Sequence, residues 1–227
     1  MAQLVVFAAG WLGPWRDAAA LHTNGRLPRP IRMFLSASLV LAACVIWNAT
    51  SGERAPYAQY VFFGMLASCV GDLIMARLIP LPSRLIGGMT AFGIAHILYV
   101  TAYVQTLRAS HIAVVNSGLW AGLILYGLAT LAGWAMLIRN PDKATPLNIG
   151  ALAYGFLVGG MAAVALALAT GLGGGWWLAA LGGLIFVISD LLIGVTDIGG
   201  MQLHNANDWI WLTYVAGQMG IIYAGRI

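Results

Sequence analysis

The chain has 227 residues, 61% of them apolar and only 8% charged, against about 25% charged in an ordinary soluble domain, which argues against a water-soluble globule. The formal net charge of +4 is spread between apolar runs and forms no basic stripe, which argues against a nucleic-acid partner. Cys44 and Cys69, the two cysteines, both fall inside apolar runs and give neither a disulfide framework nor zinc-finger spacing.

Crossing a hydrocarbon core of about 30 Å takes about 20 apolar residues, and the sequence supplies such runs repeatedly. The first run, Met1 to Trp15, is short, contains Gly13-Pro14 and leads into Arg16 and Asp17. We read it as a first span, with a half-helix or an interfacial segment as the alternatives. No basic residue precedes it, which argues against a cleaved signal peptide. Further spans are predicted at 31–49, 57–79, 84–106, 112–138, 146–170, 176–197 and 208–225. Lipid offers backbone groups no hydrogen-bond partner, and the runs lack the period-2 alternation of a membrane barrel, so each is predicted to be helical. The expected fold is all-α: a polytopic transmembrane helix bundle of about eight spans, forming a single membrane-embedded domain over 1–227. Prolines and the Gly173-Gly174-Gly175 run punctuate brief connections.

Arg16, Arg26, Arg29, Arg32, Arg77, Arg84, Arg139 and Lys143 fall on one set of connections, and only Arg54, Arg108 and Arg226 on the other. The positive-inside rule then predicts that the first set is cytoplasmic and the C-terminus lies outside, in a multi-pass protein of the inner (plasma) membrane. Trp176, Trp177, Trp209 and Trp211, near helix ends, fit an interfacial aromatic belt.

A charge at membrane depth costs at least about 2.5 kcal/mol, so a carboxylate there needs a reason. Asp72 and Asp190 both lie inside apolar runs, as does His96, with Tyr99 along the same face; Tyr214 and Gln218 share a face of the last helix. At 1.5 Å per residue the two aspartates lie about 10 Å from the cytoplasmic ends of their helices, His96 about 18 Å, Tyr214 about 9 Å and Gln218 about 15 Å. All five fall in one half of the bilayer, with Arg32, Arg77 and Arg84 at that side. Interhelical hydrogen bonding is the alternative account of these residues, and topology that of the arginines. An internal echo accompanies them: Gly64-x-Leu66 leads to Gly71-Asp72-Leu73 as Gly182-x-Leu184 leads to Ser189-Asp190-Leu191, and His96 and Tyr214 each follow their aspartate by 24 residues. The echo is either chance or the mark of two parallel four-helix halves.

Gly64-x-x-x-Ser68-x-x-Gly71-Asp72, Ala91-Phe92-x-x-Ala95-His96-x-x-Tyr99, Phe186-Val187-x-Ser189-Asp190 and Thr213-Tyr214-x-x-x-Gln218 together resemble the YhhN family, in order, over roughly residues 30 to 220. Arg32-Met33 stands where that family usually has Lys-Pro. The resemblance implies an integral membrane hydrolase of about eight helices that opens the vinyl ether of a lysoplasmalogen, giving a fatty aldehyde and a glycerophospho-base. Its partners would be that lysophospholipid and the bilayer lipids.

Vinyl ethers open when an acid protonates the terminal alkene carbon, giving an oxocarbenium-like cation that water captures. Such chemistry asks for one protonated and one ionised carboxyl, the division familiar from glycoside hydrolysis, and two nearby carboxyls divide in this way. Asp72 and Asp190 are the candidate acid and base, in either assignment, with His96 orienting water or tuning one carboxyl. Tyr214 and Gln218 are candidates to hold that water or the ether oxygen, Ser68 and Ser189 to donate hydrogen bonds, Tyr99 to line the substrate site, and Arg32, Arg77 and Arg84 to grip the phosphate. His96 is the sole deep histidine, so no metal or other cofactor is expected. Paired membrane aspartates also serve proton-coupled transporters, the alternative function.

Overall fold

The computed structural model describes residues 2–13 and 25–226. Eight α-helices follow one another: α1 Ala2–Leu12, α2 Arg29–Ala49, α3 Ala55–Met75, α4 Arg84–Ala109, α5 Ser117–Gly133, α6 Thr145–Leu172, α7 Trp177–Ile193 and α8 Ala206–Ala224. Local chemistry sets their starts. Proline occupies the first turn of α2, α3 and α6, where a missing N–H costs nothing. Ser83 caps α4 by accepting from the Ile86 N–H, and Asn116 caps α5 by accepting from the Leu119 N–H.

The helices α2 through α7 are long and apolar enough to cross a bilayer, α5 and α7 with the helical segments that adjoin them. This is an integral multi-pass membrane protein, and side chains such as Phe34, Leu41, Phe63, Ile124 and Leu128 face outward. α8, at 19 residues, is long enough but less apolar, because Asp208, Tyr214 and Gln218 are buried among its neighbours. The expected first span is corrected. α1 has 11 residues and rises about 16 Å, half the hydrocarbon core. Pro14, Trp15, Arg16, Asp17 and His22 lie outside the described residues. Two boundaries also shift. The run expected to reach 79 stops at Met75, where the Leu78 N–H bonds back to the Leu73 carbonyl and the Arg77 N–H to that of Ile74, with Arg77 left-handed at φ 59°. The run expected from 112 begins at Ser117, where Asn116 caps it. Of the four tryptophans expected in an aromatic belt, Trp177 and Trp209 are exposed, whereas Trp176 packs edge-on against Tyr57 and Trp211 against Tyr214 in the core.

α5 and α7 each finish in a π-helical turn, Trp134–Ile138 and Gly194–Ile198. These turns meet, the Ile138 side chain lying against Gly194.

The internal echo is structural. The pairs α3–α4 and α7–α8 are the most extensively packed in the molecule, and they cross at the same register. The Tyr99 ring lies over Gly64 and the Phe92 ring over Gly71. At the equivalent points of the second pair, Gly217 lies against Gly182 and Ser189 Oγ donates to the Ile210 carbonyl at 3.0 Å. A Cβ on Gly182 would stand 2.6 Å from the Gly217 carbonyl oxygen, so only glycine allows this backbone approach. α2 packs on α3 and α8 as α6 packs on α7 and α4. The helices α2–α4 and α6–α8 thus repeat one packing arrangement in the two halves of the chain, and the polar residues collect where the halves join.

Candidate active site

Asp190, near the end of α7, accepts a hydrogen bond from the Tyr154 hydroxyl of α6 at 2.7 Å. His96 Nε2, from α4, lies 3.2 Å from the same hydroxyl oxygen and 3.7 Å from Asp190 Oδ2. Tyr154 has one proton, and the carboxylate takes it, so the contact with His96 is an Nε2–H donating to the phenol oxygen. In the neutral ring, Nδ1 is then a bare acceptor. It is buried, and no protein group bonds it.

Asp72, near the end of α3, is buried and receives two hydrogen bonds on Oδ2, from Ser36 Oγ at 2.6 Å and from the Tyr214 hydroxyl at 2.7 Å. An aromatic path joins the two carboxylate sites. The Tyr214 ring meets Phe186 at 5.6 Å between centroids, and Phe186 stands edge-on to His96 at 4.9 Å. Each aspartate therefore has one partner from its own half, 36 residues earlier in both cases, and one from the opposite half.

The two environments differ in access. A cavity of about 110 Å³ lies among α4, α5, α6 and α7, with apolar walls that include Phe92, Val158, Val187 and Leu191. Asp190 and Tyr154 line it and Asp72 does not. Phe92, which does, packs edge-on against Tyr214, the residue that holds Asp72.

Several residues singled out in the sequence have other roles. Ser68, Tyr99 and Gln218 form their own buried network: the Tyr99 hydroxyl donates to Gln218 Oε1 at 2.9 Å, and Gln218 Nε2 donates to Ser68 Oγ at 3.2 Å. None of the three bonds a carboxylate. They tie α3, α4 and α8 together, the interhelical role that sequence left as the alternative. Ser189 spends its proton on the Ile210 carbonyl and not on the adjacent Asp190. Arg32 places its guanidinium 5.9 Å over the Trp211 ring, away from the cavity, and Arg77 is exposed on the turn after α3. Arg84 alone of the three lies beside the cavity, paired with Asp197 at 3.0 Å. Among the described residues no group of three His, Cys, Asp or Glu side chains gathers as metal ligands. Sequence reasoning missed Ser36, Tyr154 and Asp197. The repeat held a signal for the first two, since each precedes its aspartate by the same interval.

A sequence profile of the YhhN family matches residues 30–225. The chain is also similar to the human protein named lysoplasmalogenase TMEM86B, at 30% identity over 166 residues, which are 72% of this chain and 62% of that relative. The chain thus spans less than two thirds of the relative's length. No solved structure matches.

Proposed function

The chain belongs to the YhhN family, and from that premise we propose that it is a membrane-embedded hydrolase that cleaves the vinyl ether of lysoplasmalogens to a fatty aldehyde and a glycerophospho-base. The observation that carries the proposal is the pair Asp190 and Tyr154 in the wall of a largely apolar cavity, with buried His96 hydrogen-bonded to Tyr154 behind that wall. An apolar wall suits an alkenyl chain, and a single acidic position in it suits protonation of that chain's reactive carbon.

In this scheme protonated Asp190 gives its proton to the terminal alkene carbon, and the electron pair of the ether oxygen completes an oxocarbenium ion. Water adds to the cation and loses a proton to His96 Nδ1, which leaves a hemiacetal beside an imidazolium and the Asp190 carboxylate. The hemiacetal collapses as its hydroxyl proton returns to Asp190 and the imidazolium protonates the departing glycerol oxygen. One water is consumed and both side chains are restored. Tyr154 donates to the Asp190 carboxylate while it is charged and fixes the tautomer of His96.

Asp72 has a positioning role here: it holds Tyr214, whose ring packs on Phe186, and Phe186 sets the plane of His96. The gathering of the polar groups at one end of the bundle favours hydrolysis of a lipid held in one leaflet over proton-coupled transport.

Purified protein in detergent should release aldehyde from an alkenyl lysolipid above the uncatalysed rate. Folded protein that releases none overturns the proposal. The orientation follows from the charges: Arg26, Arg29, Arg32, Arg77, Arg84, Arg139 and Lys143 lie at the end of the bundle nearer the site, which we place toward the cytoplasmic leaflet. A reporter fused after Lys143 is expected to register cytoplasm, and one at the C-terminus the opposite side. The reverse pattern inverts the orientation.

A further inference from the structure

We propose that the Arg84–Asp197 ion pair is the receptor for a zwitterionic head group, opened by exchange of partners, and that Asp197 is the residue that discriminates against anionic head groups. This rests on the hydrolase reading above and adds to it how the polar end of the substrate is selected.

Among the described residues this is the sole pairing of a lysine or arginine with a carboxylate, and its place is specific. Arg84 opens α4 and Asp197 lies in the π-helical turn after α7. Their chain neighbours Leu85 and Ile198 both line the cavity, so the pair sits on its rim. Both side chains are about one third exposed, 35% and 30%, so the pair is open to an incoming group. A partly exposed pair of this kind contributes little to folding, so a stability role explains it poorly.

The spacing fits the substrate. Asp197 is two helical turns beyond Asp190, about 10 Å along the axis. In an alkenyl lysolipid the phosphorus is five covalent bonds from the ether oxygen, a reach of about 6 Å. With the vinyl ether at Asp190, the phosphate comes within reach of the Arg84 side chain, whose planar fork matches two phosphate oxygens.

A phosphate that takes Arg84 strips Asp197 of its partner. A head group with an ammonium beyond the phosphate supplies the missing cation, so two ion pairs replace one and no charge is left alone. A phosphoglycerol or bare phosphate head group brings no cation, and its negative charge faces the unpartnered carboxylate.

The test compares kcat/KM for three lysolipids with the same alkenyl chain and phosphoethanolamine, phosphoglycerol or bare phosphate head groups. The unmodified protein should prefer the first. Asp197→Asn should narrow that preference by about tenfold, chiefly through KM for the anionic lipids, while Asp197→Glu should retain it. Arg84→Gln should raise KM for all three. An active protein whose preference is unchanged by Asp197→Asn, or whose KM values are unchanged by Arg84→Gln, overturns the inference and leaves the hydrolase reading standing. Absence of aldehyde from all three lipids overturns the hydrolase reading and the inference with it.

Discussion

Asp190→Asn is expected to lower kcat by about a thousandfold or more, since general acid catalysis supplies 10² to 10⁴ and an amide cannot give up the proton. The side-chain oxygen can still accept from Tyr154, and a neutral amide avoids the cost of an unpaired buried charge, so the protein should insert and resist heat about as well as its parent. Asp72→Asn makes the informative comparison. Its amide oxygen can still accept from Ser36 and Tyr214, and the side chain lies outside the cavity, so a loss of only about tenfold in kcat is expected. If the two variants are equally inactive while folded, both carboxyls take part in proton transfer, and the division of one acid and one base between them replaces the single-carboxylate scheme. Thermal melts beside the rate measurements separate either result from loss of folded protein.

His96→Gln is expected to cost about a hundredfold in kcat with little change in KM. Glutamine places an amide N–H where Nε2 points and can still donate to Tyr154, but it offers no base in place of Nδ1. Capture of the cation then depends on unassisted water. A variant that keeps the parental rate would move the base away from His96.

Six of the spans were legible within a few residues because lipid admits little besides apolar helices of a set length. α1 was overread, because composition reports where apolar residues lie and not where the helix they form stops. In the candidate site, Asp72, His96, Asp190 and Tyr214 stood out because polarity at membrane depth is expensive. The same criterion singled out Ser68, Tyr99 and Gln218, whose polar groups satisfy one another. It passed over Ser36 and Tyr154, since a hydroxyl on an apolar helix is too ordinary to draw notice. Only the pairing of helices, a matter of three-dimensional packing, shows which hydroxyl meets which carboxylate. Asp197 went unmarked because it lies near a helix end, where a charge needs no explanation until its partner is seen across the cavity rim.

The crossing of partners between the halves bears on how a single reactive position arises from a doubled plan. Two identical segments facing each other would give each carboxylate the same neighbours, hence the same affinity for a proton and the same access to lipid. Joined in one chain, the segments are free to diverge: serine holds one carboxylate and tyrosine the other, tyrosine reaches across to the first and histidine to the second. The asymmetry that lets one aspartate face the cavity while its counterpart stays sealed is thus a property of fusion. A symmetric dimer of either half, having no second kind of neighbour to offer, would lack it.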